Sequence, residues 1–172
     1  MHAASTQPDT ATRDLRAPGR VLLVSCYELG HQPLALATAA GALRDAGFQP
    51  ATRDLAVESL TDDDLAGAGL VAVSVPMHTA MRIGQGVLDR LRAAHPETPV
   101  VFYGLYAVLN ADHLFATGAS AVIGGEFDGP LRSIAEHLAR GGDLATANLP
   151  GVTTPSNRTP APAPKSAFPE PR

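Results

Sequence analysis

The sequence predicts an α/β fold, a five-stranded parallel sheet with helices on both faces. Between Arg20 and Gly141, short β-branched apolar runs alternate with longer stretches that carry apolar residues at helical spacing, the pattern of repeated βα units. The runs are apolar throughout, as strands covered on both faces are. At 172 residues the chain has room for one domain with flanks, since ~100–150 residues bury a self-sufficient core.

Residues 1–19 are polar, carry Pro8, Pro18 and Gly19, lack the apolar stretch of a secretory signal, and are expected to form a disordered lead-in. The first strand is expected from Val21 to Ser25. Pro33 opens a helix with Leu36, Ala39, Ala40 and Leu43 on one side, and Gly47 suits its left-handed cap. The second strand runs from about Phe48 to Asp54, and Thr61 with Asp64 makes a capping box for a short helix. A turn at Gly67 and Gly69 leads to the third strand, Leu70 to Val75. Thr79 is expected to cap the next helix, in which Ile83, Val87 and Leu91 share a face, and Pro96 and Pro99 end it.

Val100 to Tyr103 forms the fourth strand, Asn110 caps a short helix through Phe115, and Ala119 to Ile123 forms the fifth strand. Asp128 opens the last helix, with Leu131, Ile134, Ala135 and Leu138 at helical spacing before Gly141 and Gly142. Residues 143–172 hold seven prolines between Pro150 and Pro171 and are expected to be a semi-extended linker or tail that packs no core.

Right-handed crossovers leave few topologies for five βα units, and the commonest small one is the flavodoxin-like order 2-1-3-4-5. Ligands of such sheets settle beyond the carboxyl ends of the strands, which points to Cys26–Gln32, Pro76–Thr79, Gly104–Ala107 and Gly124–Phe127.

Composition narrows the functions. A net charge of -4 and a single lysine, Lys165, leave no basic face for a nucleic acid. One cysteine, Cys26, makes no internal disulfide and cannot by itself hold zinc or an iron–sulfur cluster, which suits a reducing cytoplasm. No apolar run approaches the ~20 residues that cross a bilayer, so no membrane partner is expected. The first loop, Ser25 to Pro33 with Gly30 and His31, has neither G-x-G-x-x-G nor G-x-x-x-x-G-K, and it lacks the Ser and Thr of a flavin-phosphate loop. A phospho-receiver needs an Asp at the end of its third strand and a Lys after its fifth; here the third strand carries Ser74 and the domain has no lysine. Gly104, Gly124 and Gly125 lie at or just past strand ends, where a missing Cβ lets a ligand approach the backbone, although ordinary turn geometry also explains any one of them.

Three stretches carry a resemblance: Pro33-Leu34-Ala35-Leu36-Ala37 leading to Leu43-Arg44-Asp45-Ala46-Gly47; Leu70-Val71-Ala72-Val73-Ser74 with Thr79; and Val122-Ile123-Gly124-Gly125-Glu126 with Pro130-Leu131. Together, over residues 20–142, they resemble the cobalamin (B12)-binding domain of B12-dependent radical SAM proteins. The loops Tyr27 to Pro33 and Pro76 to Thr79 resemble a subgroup with a short tail containing Cys, Ala, Glu and Pro. In those proteins a Pro-rich linker leads to a barrel with a CxxxCxxC motif, which binds S-adenosylmethionine and a 4Fe-4S cluster. The motif is absent here, so those two cofactors are expected only in a missing domain.

The resemblance implies a truncated or barrel-less module that binds cobalamin, serves a radical SAM barrel in cis or trans, and does no chemistry alone. A stand-alone protein-interaction or small-ligand domain that has lost cobalamin is the alternative. Many members carry a glycine pair after the fourth strand, whereas Tyr103-Gly104-Leu105-Tyr106 keeps only the second. Methionine synthase and the methylmalonyl-CoA mutases ligate cobalt through D-x-H-x-x-G. Here Glu28 stands three positions before His31 and Leu34 replaces the glycine, so His31 is either an axial ligand or a loop hydrogen-bonding group, with His78 a lesser candidate. Ser74 either meets the nucleotide tail of cobalamin or satisfies nearby backbone, and Glu126 either faces the corrin amides or favours its helix start. Tyr103 and Tyr106 are read as core and rim packing, and Cys26 as a small buried hydrophobe.

Overall fold

The computed structural model describes residues 14–158. Strands Val21–Ser25 (β1), Ala51–Asp54 (β2), Leu70–Ser74 (β3), Val100–Tyr103 (β4), Ala121–Ile123 (β5) and Val152–Thr153 (β6) form one sheet in the order β2-β1-β3-β4-β5-β6. The first five pair in parallel, in the flavodoxin-like order expected. β6 is an addition, antiparallel to β5.

Alternation along each strand divides the core. Val21, Leu23, Leu70, Ala72, Val101, Tyr103 and Ile123 pack toward helices Leu34–Asp45 (α1) and Asp128–Ala139 (α6). Leu22, Val24, Val71, Val73, Val100, Phe102 and Val122 pack toward Asp62–Gly67 (α2), His78–Ala94 (α3), Leu105–Leu109 (α4) and Ala111–Ala116 (α5). α1 ends at Gly47, whose φ of +82° is the left-handed cap the sequence calls for.

Three local expectations change. Thr79 does not cap α3: the extended backbone of Met77 starts the helix one residue earlier, and Thr79 lies inside its exposed first turn. Asn110 flanks α5 without a side-chain cap, because its Nδ2 turns back to the Tyr106 carbonyl at 2.8 Å. The second strand starts at Ala51 rather than Phe48, whose N–H closes α1 onto the Leu43 carbonyl at 3.0 Å.

The flanks change most. Leu144, Ala147, Val152 and Thr154 are buried, so the stretch 143–158 packs on the core and adds β6 to the sheet instead of forming a linker. Leu15 is also buried, and the Arg16 guanidinium lies 4.4 Å from the centre of the Phe48 ring, so residues 14–19 belong to the fold rather than to a disordered lead-in. The expected disorder of residues 1–13 and the rest of the Pro-rich tail lie outside the described residues.

The capping box of α2 is complete: Asp64 N–H donates to Thr61 Oγ1, and Thr61 N–H donates to Asp64 Oδ2 at 3.0 Å. Arg53 of β2 adds two bonds to the same carboxylate, at 2.6 and 3.1 Å, and holds it below the ordinary Asp range. Asp64→Ala should therefore cost about 1–2 kcal/mol in urea unfolding at neutral pH. A lowered folded-state pKa gives stability that is full above the unfolded value and lost as pH falls through the folded one. The gap between variant and wild type should accordingly narrow as pH falls below the ordinary Asp value and through the lowered one; a gap that stays constant would place the effect elsewhere.

Candidate functional site

The chemistry-bearing loops gather where the topology places them, at the carboxyl edge of the sheet. Register aligns Ser25 of β1 with Ser74 of β3, and Ser74 with Tyr103 of β4. All three are buried on the α1/α6 side. The Phe127 ring, just before α6, packs on the Tyr103 ring at 4.8 Å between centres.

Several buried polar side-chain atoms along this edge lack partners. Ser25 Oγ, Tyr103 Oη, Glu28 Oε1 and Asp128 Oδ1 are buried and have no hydrogen bond to any described residue. Such atoms are costly, about 1–3 kcal/mol each, when nothing meets them. Burial pushes the Tyr103 phenol well up; Ser74 lies close enough to oppose this slightly without completing a normal hydrogen bond, and Cys26, Glu28 and Asp128 add to the rise. Burial also raises Glu28, with Asp54 adding to it, and raises Asp128, with Glu126 adding to it. Cys26 is pushed up to about 12 by burial and by Asp54, which makes it an inert thiol.

The rim of this edge is apolar. The exposed large hydrophobics among the described residues are Leu29, Leu34, Val57, Ile83, Leu105, Val108 and Leu109. Each lies in a loop or the opening turns of a helix that follows a strand's carboxyl end, so together they crown one edge of the molecule. Leu105 and Leu109, on the short helix after β4, are 66% and 68% exposed.

Of the residues singled out from sequence, Gly30 and His31 sit in a tight turn in which His31 N–H donates to the Glu28 carbonyl at 2.9 Å, and both are exposed. Tyr106 is half-buried, with His78 edge-on to its ring at 6.3 Å. Glu126 and Gly125 are exposed in the loop before α6. Thr79 is on the same rim, and Ser74 lies beneath it.

Two glycines have reasons internal to the chain. Gly104 has φ +108°, and a Cβ there would stand 3.0 Å from the Val75 carbonyl oxygen. A Cβ on Gly124 would meet Val108 Cγ2 at 2.4 Å. Gly30 and Gly125 face open space at positive φ. Sequence reasoning gave no binding role to Ser25, Glu28, Tyr103 or Asp128; the available signal was a polar residue closing each of three adjacent apolar strands. Among the described residues no group of three or more His, Cys, Asp or Glu side chains is placed to hold a metal ion. No described helix is long and apolar enough to cross a membrane.

No family model matches the chain, and no curated protein does. Among solved structures, the chain is similar to the radical S-adenosylmethionine methyltransferase TsrM from Kitasatospora setae, determined with cobalamin and a 4Fe-4S cluster bound. The TM-score is 0.67 at 22% identity, over 86% of this chain and 30% of that one. It is also similar to the receiver domain of NtrX from Brucella abortus, with a TM-score of 0.53 at 24% identity over 70% of this chain and 98% of that one. A CheY-like receiver domain from Methanospirillum hungatei matches at 0.52 and 17% identity, over 72% and 96%. At these identities the likenesses establish the fold. The chain spans 30% of the length of TsrM.

Proposed function

We propose that this chain is a cobalamin-binding module, holding B12 against the carboxyl edge of its sheet for radical or methyl-transfer chemistry performed by a radical SAM domain in cis or trans. The observation that carries the reading is the apolar crown along an edge that also holds unpartnered polar atoms. A corrinoid is a broad ring with apolar faces and a fringe of carboxamides, and it fits both features. Bound cobalamin supplies a cobalt centre able to carry a methyl group.

Coverage favours this reading over a receiver. The likeness to TsrM takes in 86% of the chain against 70% for the NtrX receiver. Ser74 ends the strand where a receiver needs its phosphorylated Asp, and the only lysine is Lys165. A domain that has lost cobalamin and meets a protein through the crown is the second reading, favoured by the buried Tyr103 that stands in place of the first glycine of the pair.

Purified protein mixed with hydroxocobalamin should keep it through gel filtration, with corrin absorption bands in the protein peak. A folded protein that emerges without those bands refutes the module and leaves the second reading. His31→Ala should retain cobalamin with little spectral change, since the D-x-H-x-x-G spacing is broken. A nitrogen signature in the electron paramagnetic resonance of the cob(II)alamin form that is lost in His31→Ala would instead make His31 the axial ligand.

A further inference from the structure

We propose that the chain's own segment Thr159 to Pro164 turns back along the open edge of β6 as a proline-capped strand, with its prolines over the groove between β6 and the helices α4 and α5. The turn that sends it there is in place. Thr154 N–H donates to the Asn157 carbonyl at 3.0 Å and Asn157 N–H to the Thr154 carbonyl at 3.2 Å, the closing pair of a two-residue loop at Pro155 and Ser156. Asn157 Nδ2 ties the loop to Asn148 Oδ1 at 2.9 Å. By that register Arg158 stands opposite Thr153. Its guanidinium pairs with Asp112 and lies 4.5 Å from the centre of the Phe115 ring. Arg158 and Thr153 both line the groove, about 570 Å³, whose apolar lining is Val108, Leu109 and Val122.

Alternation sets what each residue of the segment meets. A strand presents its N–H and C=O groups to alternate edges and its side chains to alternate faces. The Thr154–Asn157 pair turns Asn157 toward β6, so in the continuing strand Thr159, Ala161 and Ala163 face β6, and Pro160, Pro162 and Pro164 face away. The outer edge beyond Arg158 is therefore proline at every position, with no N–H to offer a further strand. The same alternation puts the proline rings on the face of Arg158, the groove side. On β6, the Val152 N–H is held by the Leu149 carbonyl at 3.1 Å, while the Val152 carbonyl, on the same edge as that of Thr154, stands opposite Thr159 N–H. β6 is antiparallel to β5, so the returning strand runs parallel to β5 and brings Pro160 level with Gly124, beside Val108. Because the chain is already fixed at Arg158, docking closes no further loop. The segment closes the sheet edge to a second copy, and the chain leaves the domain after Pro164, with or without a corrinoid bound.

Nuclear magnetic resonance of the full chain tests the docked strand. Thr159 N–H should exchange with solvent about tenfold or more slowly than in a free peptide of residues 157–172. Nuclear Overhauser contacts should join the Pro160 ring to the Val108 methyls. Inserting one glycine between Arg158 and Thr159 turns the prolines toward β6 and should abolish both signals, whereas Pro162→Ala keeps the register and should leave Thr159 protected. Both changes lie outside the core, so the domain stays folded. Exchange of Thr159 at the peptide rate in the wild type, or absence of the Pro160 contacts, overturns the proposal. Protection that survives the glycine insertion overturns the register on which it stands. Protection that grows with protein concentration makes the occupant a second copy and overturns it as well.

Discussion

Leu105→Glu/Leu109→Glu is expected to lower corrinoid affinity about 100-fold while leaving the unfolding midpoint of the free protein nearly unchanged. Both leucines are largely exposed, so the fold gains little from them. A ligand lying across the rim would cover them, and full burial of one leucine is worth about 1.5–3 kcal/mol. Half of that at two positions already approaches two decades of affinity, at roughly 1.4 kcal/mol per decade. The introduced carboxylates would also have to be desolvated. Arg140→Glu is the control, since it shifts net charge by the same two units just past the end of α6, at the far edge of the sheet. Titration of the corrin absorption bands for the three proteins decides the matter. Wild-type affinity in the double variant would remove the crown from the site and with it the main support for the corrinoid reading.

How far the sequence reaches depends on what each element rests on. β1, β3 and β4 are unbroken apolar runs, and burial on both faces forces that pattern, so their order and the ligand edge follow from chain logic. Gly47 and the Thr61–Asp64 box are local devices that are visible wherever they occur. α4 escaped because its apolar residues Leu105 and Leu109 point outward, so no inward-facing helical period marks it. β6 escaped because it has two residues and adjoins a proline-rich stretch, although Leu144, Ala147 and Val152 ahead of the later prolines are enough to anchor it.

The candidate site was legible as an edge but not as a set of partners. Ser25, Ser74 and Tyr103 are far apart in sequence, and only strand register makes them neighbours. Gly124 illustrates the same limit. Its lack of a side chain reads as room for a ligand until α4 places Val108 where the Cβ would be.

Gly104→Ala is expected to be the most damaging small substitution in the chain, with a loss of about 2–4 kcal/mol from a left-handed backbone forced on alanine together with a clash. The clash is with main chain: the Val75 carbonyl oxygen, 3.0 Å from the new Cβ, is itself held by Tyr106 N–H at 3.2 Å, while Val75 N–H donates to the Tyr103 carbonyl at 2.9 Å. Neither side can retreat without opening the β3–β4 junction. For a chain of this size the loss should appear as a fall of about 5–15 °C in the thermal midpoint. Gly124→Ala should behave differently, because it meets the half-exposed side chain of Val108. Combining it with Val108→Ala should restore stability to within about 1 kcal/mol of Val108→Ala alone, the coupling expected of two groups in contact. If the restored double variant still binds corrinoid, Gly124 serves the packing of α4. If it is stable yet fails to bind while Val108→Ala binds, the open rim at Gly124 serves the ligand.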